Sequence, residues 1–161
     1  MNSFLFNGIG YVCSPYLKPE GTPIQPVKDS LVQAHIIIYD EFIAGLKDIA
    51  GFSHLIILSF LHKTIKPSLH VTPFLDTVPR GIFATRAPAR PNPIGISVVK
   101  LIVVKENLLI IEEFDLIDGT PVLDIKPFIP DFDHRDNVTV GWYANKKNHV
   151  QSFKDDGRFS G

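Results

Sequence analysis

The sequence predicts a mainly β protein, either an antiparallel barrel or a sandwich, with one short helix and long loops. Short apolar segments follow one another along the chain and are separated by turn residues, which is typical of antiparallel sheets. The 13 prolines are spread along the chain and disfavour long helices. The alternation of strands and helices that builds a doubly wound parallel sheet is missing. At 161 residues the chain is long enough for one domain with a substantial core.

The apolar segments predict seven or eight strands. They are residues 4–12, 31–39, 53–61, 81–85, 97–105, 108–114, 122–129 and 138–143. Glu106-Asn107 separates the fifth segment from the sixth and predicts a hairpin. Residues 40–49 are the predicted helix, because Asp40 can cap it and the apolar residues that follow recur at helical spacing. Gly51 is expected to end this helix.

Two segments are expected to lie outside the sheet. Residues 63–80 are polar and marked by prolines, which makes them the best candidate for a mobile lid. Residues 146–161 are polar and predicted to form a frayed tail, so the folded domain is expected to cover residues 1–145.

Composition excludes several classes of protein. Cys13 is the single cysteine, so neither an intramolecular disulfide nor a cysteine zinc site is expected. No two of the six histidines lie four residues apart with a glutamate between them, and no metal site is predicted. There is no signal-peptide pattern and no apolar run of membrane-spanning length, so we expect a cytoplasmic protein with no membrane partner. The net charge of −1 argues against a broadly basic nucleic-acid surface but allows a local basic face.

The most informative segment is residues 86–95, which hold three prolines, Arg86, Arg90 and Asn92. Proline fixes φ and removes a backbone donor, so the segment is a stiff loop. One interpretation is a rigid corner whose arginines pair with local carboxylates. The other is a preorganised site for a polar or anionic ligand, because guanidinium groups held in place lower the ordering cost of binding.

Other candidates lie at strand ends and turns. His62 ends an apolar strand, where a side chain emerges from the core into a cleft. Asp118-Gly119-Thr120-Pro121 is a turn by its own chemistry. Asp124 and Lys126 lie two apart in a strand and share a face, either as a surface pair or as half of a polar pocket. Gly8 and Gly10 lack the third glycine of a dinucleotide-binding motif, and no nucleophile has an evident base.

Four segments together resemble the TsaA-like family, also called TrmO and formerly YaeB. They are residues 52–55 (FSHL), 81–86 (GIFATR), 90–97 (RPNPIGIS) and 118–127 (DGTPVLDIKP). The resemblance covers roughly residues 4–130 in family order. It implies an antiparallel β-barrel and a homodimer that binds S-adenosylmethionine near the subunit interface. It also implies methylation of N6 of threonylcarbamoyladenosine, next to the anticodon of tRNA.

The resemblance also implies roles for individual residues. Cofactor contacts are expected from Pro23, Ile24, Gln25, His62, Lys63, Arg86, Ile96, Asp118, Gly119, Thr120 and Pro121. Ile24 stands where the family has a basic residue, and Lys63 replaces a frequent glutamine. For the reaction, Asp118 and Asp124 are the candidate proton acceptors and Asn92 the orienting group, while Arg90, Lys66 and Arg80 are expected to meet RNA.

Three other functions stay open at this point. The protein could be an S-adenosylmethionine-binding sensor or regulatory module without transfer activity. It could methylate a small molecule in place of tRNA. A purely structural barrel is the third alternative, and it poorly explains the loop of residues 86–95.

Overall fold

The computed structural model describes residues 3–145 and 153–160, and its strands form a closed barrel and a small hairpin. The strands are β1 (Gly10–Cys13), β2 (Ala34–Ile38), β3 (His54–Phe60), β4 (His70–Val71), β5 (Arg80–Gly81), β6 (Ile94–Lys105), β7 (Leu108–Glu112) and β8 (Pro121–Pro127). The barrel is antiparallel throughout, in the order β1-β2-β7-β6-β3-β8, and β4 pairs with β5. The predicted antiparallel barrel is therefore confirmed, and so is the β6–β7 hairpin around Glu106-Asn107.

The helical elements differ from the prediction. The α-helix of the described residues is α1 (Pro130–Asp133), and the others are 3-10 helices at Asp40–Leu46, Ile49–Gly51, Ile82–Ala84 and Gly141–Asn145. The helix predicted over residues 40–49 is present as two 3-10 helices, which are separated where Asp48 adopts a φ of 67°. Asp40 caps neither, since the first 3-10 helix begins at Asp40 after Tyr39 without a side-chain cap.

The strand predicted at residues 138–143 is also wrong. The chain forms the 3-10 helix Gly141–Asn145 there, and Gly141 has a φ of 54°, which a strand does not accommodate. The strand predicted over residues 81–85 is much shorter, since β5 ends at Gly81 and a 3-10 helix follows. None of the helices in the described part of the chain is long and apolar enough to cross a membrane.

The barrel core follows the two-residue alternation of its strands. Leu55 and Ile57 of β3 point inward and are fully buried, because alternate side chains of a strand face the same side. Ile36 and Ile38 are buried in the same way, and Ile37 between them is only partly buried. The core also includes Val12, Ala34, Val99, Leu109, Ile111, Phe114, Leu116 and Val122.

An irregularity in the β3–β8 pairing rotates the middle of β8. The register shifts between Leu58 and Ser59, so that Val122 and Ile125, three residues apart, both contact the core. Asp124 and Lys126 consequently share the other face, as predicted, and their charged groups lie 2.7 Å apart.

Gly10 lies where β1 and β2 approach each other closely. A Cβ atom at this position would lie 2.2 Å from the backbone oxygen of Ile37, an atom that cannot move without shifting β2. We expect Gly10→Ala to lower the free energy of unfolding by about 1–3 kcal/mol, as overpacking does. Urea denaturation measures this, with Gly51→Ala as the control, because a Cβ there meets nothing within 4 Å. Equal stability of the two variants would contradict the prediction.

A second apolar cluster lies outside the barrel and is built mostly from loops. Its buried members are Val71, Ile82, Ala87, Ala89 and Phe159, with Phe74 against them. Residues 153–160 therefore fold onto the domain, with isolated bridges from Lys154 to Pro23 and from Ser160 to Thr64. The expectation of a frayed tail is wrong for these residues, and the rest of the predicted tail, residues 146–152 and 161, lies outside the described residues.

Candidate active site

A cleft of about 950 Å³ opens where β3 ends and β6 begins. Its floor is the end of the barrel, where the inward positions of β3 and β6 change from aliphatic residues to the buried hydroxyls of Ser59 and Ser97. Its walls are loops, including residues 22–25, 61–64 and 83–90, and the C-terminal residues 155–160 contribute one side. The volume lies within the range of sites that bind small molecules.

The two arginines of the stiff loop have different roles. Arg90 donates from Nη1 to the carbonyl oxygens of Ile82, Thr85 and Ala87, at 3.3, 2.9 and 3.4 Å. It therefore holds the loop in shape, with backbone carbonyls in place of the local carboxylates that one interpretation required. Arg86 is exposed, lines the cleft, and donates to the Gln25 side chain at 2.9 Å. Arg86 is thus the exposed arginine of the cleft lining.

Asp115 places a carboxyl group in the cleft beside the barrel floor. The hydroxyl of Ser97 donates to its Oδ1 at 2.5 Å. Burial raises the pKa of Asp115 to about 6, although the Ser97 hydrogen bond and the charge of Arg86 both act to lower it. Asp115 is not among the site residues predicted from the sequence. The signal available was weak: a single acid between the buried residues Phe114 and Leu116.

Two buried polar atoms have no hydrogen-bond partner within the described residues, and both belong to the cleft. They are Oγ of Ser59 and Nδ1 of His62. Burial is the main cause that lowers the pKa of His62, and the positive charge of Lys63 is the second. A hydrogen bond to the backbone of Phe60 partly offsets this lowering. Buried polar groups are normally hydrogen-bonded, so these two atoms favour a polar ligand in the cleft.

Many of the predicted cofactor residues come together in this cleft. Pro23, Ile24, Gln25, His62, Lys63, Arg86, Ile96 and Thr120 line it, as does Arg90, which was predicted to bind substrate. The Asp118–Pro121 turn lies next to it through His62, since a Cβ on Gly119 would be 4.0 Å from His62 Nε2. Gly119 and Pro121 themselves are not among the lining residues.

The predicted catalytic residues lie outside the cleft lining. Asp118 is exposed and accepts a hydrogen bond from the backbone N–H of Ser14 at 3.0 Å. Asp124 pairs with Lys126, which is the surface-pair interpretation of that strand. Asn92 is exposed on the stiff loop.

Two of the residues predicted to bind RNA also lie away from the cleft lining. Lys66 is exposed. Arg80 forms an ion pair with Asp76 at 2.8 Å and lies over the Trp142 ring, 5.6 Å from its centroid.

Aromatic residues at the cleft were not predicted. Phe83 lines the cleft with 78% of its surface exposed, and Trp142 and Tyr143 line it from the 3-10 helix at Gly141–Asn145. The indole N–H of Trp142 donates to the carbonyl of Ala84 at 2.7 Å and fixes this helix to the loop before Arg86. Within residues 3–145 and 153–160, no group of three or more His, Cys, Asp or Glu residues is arranged to hold a metal ion.

Known proteins resemble this chain in both sequence and structure. The family described as tRNA-methyltransferase O N-terminal domain matches residues 11–134. A protein of Pyrococcus abyssi, named a probable S-adenosyl-L-methionine-binding protein, is 45% identical over 154 residues, which are 96% of this chain and 84% of that protein. The tRNA (adenine(37)-N6)-methyltransferase of Escherichia coli is 38% identical over 140 residues, 81% of this chain and 60% of that enzyme.

The solved structures agree with the sequence comparisons. The crystal structure of TrmO from Pseudomonas aeruginosa matches with a TM-score of 0.74 and 32% identity, over 87% of this chain. The match spans 62% of that protein, so this chain corresponds to part of the longer relatives. The family match covers the strands of the barrel and most of the cleft. The chain therefore belongs to the tRNA-methyltransferase O N-terminal domain family.

Proposed function

We propose that this protein is an S-adenosylmethionine-dependent tRNA methyltransferase that methylates N6 of adenine 37, with threonylcarbamoyladenosine as the substrate nucleoside. The observation that carries the proposal is the cleft, which joins Arg86, a buried carboxyl group and two unpartnered polar atoms at the end of the barrel. Relatives are named for S-adenosylmethionine binding and for adenine 37 methylation, and these names indicate the ligand and the reaction proposed for the cleft.

The chemistry of the lining residues fits S-adenosylmethionine. Arg86, held by Gln25, would pair with the carboxylate of the cofactor, where a guanidinium group binds in a bidentate manner. Ser59 and His62 would complete their hydrogen bonds on polar groups of the ligand. Leu61, Phe74 and Ile117 supply apolar surface for the adenine ring, and the backbone at residues 23–25 borders it. When bound, the cofactor supplies a methyl group on a positively charged sulfur, a good leaving group.

The cleft mouth has features that suit an RNA substrate. Lys63 and Arg86 are exposed cations on its lining, although the chain as a whole carries a net charge of −1. The ring of Phe83 is exposed, and proteins bind unpaired RNA bases by stacking them on aromatic side chains. The nucleotide beside an anticodon lies in a loop, where a base can leave the stack at low cost.

A homodimer is part of the proposal, because the outer face of β6 is apolar. Ile94, Ile96, Val98 and Ile102 alternate along this strand and are 41, 48, 38 and 41% exposed. Lys100 separates Ile102 from the other three, and the exposed apolar run from Ile94 to Val98 is of the kind that marks a contact surface. Ile94 and Ile96 also line the cleft, so a partner on this face would reach the cofactor site.

The proposal is tested by methyl transfer. S-adenosylmethionine with a labelled methyl group is incubated with the protein and total tRNA from cells lacking this gene, and nucleosides are identified by mass spectrometry. We expect the label on threonylcarbamoyladenosine. tRNA from cells that cannot make this nucleoside is the matched control, and should stay unlabelled. Cofactor binding without transfer to either tRNA would contradict the proposal and favour a sensor or a small-molecule methyltransferase.

A further inference from the structure

We propose that Asp115 is the catalytic base, and that its carboxylate takes the proton that adenine N6 loses as the methyl group arrives. This inference rests on the function proposed above and assigns the proton acceptor to a residue outside the four segments that identify the family. Asp115 follows β7, and its carboxyl group lines the cleft.

The reaction requires an acceptor at this place. The carbon–sulfur bond of the sulfonium breaks, its electron pair stays on sulfur, and the nitrogen lone pair forms the new nitrogen–carbon bond. The positive charge passes from sulfur to nitrogen, and the N–H proton must leave to give the neutral product. General bases act by hydrogen-bond contact with the proton they remove, so the acceptor has to lie within the cleft.

Geometry separates Asp115 from the other candidate acids. Asp118 and Asp124 lie outside the lining. The carboxylate of Asp118 accepts from the backbone N–H of Ser14, and that of Asp124 pairs with the ammonium of Lys126. Asp155 is the second aspartate of the lining, but it belongs to the C-terminal segment and hydrogen-bonds the N–H of Gly157 at 2.7 Å. Asp115 alone of these four lies next to the barrel floor, oriented by Ser97.

Ser97 orients the Asp115 carboxyl group. The Ser97 hydroxyl is 3% exposed and donates to one oxygen of Asp115. Ser97 belongs to β6 and pairs with Ile57 of β3, so the donor is held on a strand of the barrel. A carboxylate has two oxygens, and fixing one of them by a strong hydrogen bond sets the direction of the other.

The protonation of Asp115 suits a base that works near neutral pH. With a pKa of about 6 the carboxyl group is mostly ionised at pH 7 and is a stronger base than an exposed aspartate. Its ability to accept a proton is lost as the pH falls through about 6. Arg86 faces it and acts to lower this pKa. The other charged or titratable groups of the cleft lining are His62, Lys63, Arg90, Tyr143 and Asp155.

The experiment combines activity with two measurements that do not depend on it. For Asp115→Asn we expect kcat to fall by at least about 100-fold, the contribution of a general base. The dissociation constant for S-adenosylmethionine, from calorimetry, should stay within about threefold of wild type. Asp131→Asn, an exposed aspartate of α1, is the matched control and should keep wild-type kcat.

The Ser97→Ala variant shows whether Asp115 or another titratable group of the cleft acts as the base. Because the Ser97 hydrogen bond lowers the pKa of Asp115, its loss should move the acidic limb of the pH–kcat profile to higher pH. Carbon-detected NMR titration of the cofactor-free protein should show a carboxyl group titrating near pH 6 that is absent in Asp115→Asn and shifted upward in Ser97→Ala. A limb that belongs to His62 would stay in place in both variants.

Three results would overturn the assignment. The first is an Asp115→Asn variant with kcat within threefold of wild type at saturating cofactor, whatever its cofactor affinity. The second is loss of kcat in Asp124→Asn but not in Asp115→Asn. In both cases the wild-type protein still methylates tRNA, so the proposed function survives. If the wild-type protein transfers no methyl group to tRNA, the proposed function fails and the role of Asp115 falls with it.

Discussion

A chain that ends at residue 152 is expected to keep its barrel and to lose cofactor binding by at least about 100-fold. The removed segment supplies Asp155, Phe159 and Ser160 to the cleft. The N–H of Asp155 donates to the carbonyl oxygen of Thr22 at 2.8 Å, and the N–H of Ile65 donates to the carbonyl oxygen of Phe159 at 3.0 Å. The segment therefore connects two loops of the cleft wall. Phe159 is 6% exposed in the second apolar cluster, whereas the barrel core includes no residue of this segment. The truncation therefore removes one wall without touching the core.

Calorimetric titration with S-adenosylmethionine measures the loss, and circular dichroism with thermal unfolding checks that the barrel remains. Phe159→Leu is the matched control, because it retains an apolar side chain and the backbone bonds, and we expect it to bind within about threefold of wild type. A truncated chain that binds as tightly as the full chain would show that the C-terminal wall does not contribute to the site.

Arg90→Ala should be the most damaging single change in the cleft walls. Hydrogen bonds from a charged donor contribute about 1.5–3 kcal/mol, and this guanidinium group serves the carbonyls of Ile82, Thr85 and Ala87 at once. We expect the free energy of unfolding to fall by about 2–4 kcal/mol. Cofactor affinity should fall by at least about tenfold, because Arg86 lies on the same loop.

Denaturation and cofactor titration, run on the same preparations, check the Arg90 prediction. Arg90→Lys should lie between wild type and Arg90→Ala, since it keeps the positive charge but its side chain is shorter than the one whose Nη1 reaches the three carbonyls. Arg135 offers a matched control, because it also donates to backbone carbonyls but does so on an exposed segment away from the cleft. If Arg90→Ala and Arg135→Ala were equally stable, Arg90 would not be holding the loop.

Local pattern was sufficient to predict an antiparallel mainly β fold, the family resemblance chose the barrel over the sandwich, and neither predicted the type of the helices. Two of the predicted features depend only on residues that are adjacent in sequence, and the structure has both. They are the alternation of Leu55 and Ile57 with less buried neighbours, and the turn at Glu106-Asn107. The helix expected at residues 40–49 is present only as two 3-10 helices, because Asp48 takes a φ of 67° between them, which the apolar spacing does not reveal. The strand expected at residues 138–143 failed because Trp142 is anchored to the distant carbonyl of Ala84, which no local pattern reveals.

The site shows the same division between local and distant causes. Proline content alone indicated that residues 86–95 form a stiff loop. Residues 86–93 are a loop of the cleft wall, whereas Ile94 and Gly95 already belong to β6. The separate roles of Arg86 and Arg90 depend on where the carbonyls of this loop point after folding. The environment of Asp115 depends on Ser97, 18 residues earlier, and on burial by segments far away in sequence.

A site with a barrel floor and loop walls separates ligand exchange from unfolding. Ser59 of β3 lies between Gly95 of β6 and Val122 of β8, and Ser97 of β6 pairs with Ile57 of β3, so opening the floor requires barrel strands to separate. The walls are loops joined by isolated bridges such as that between Thr64 and Ser160. Segments of this kind open locally at a much smaller free energy than the global one. Spent cofactor can therefore leave and fresh cofactor enter through brief openings of the walls, while the floor keeps Ser97 in place.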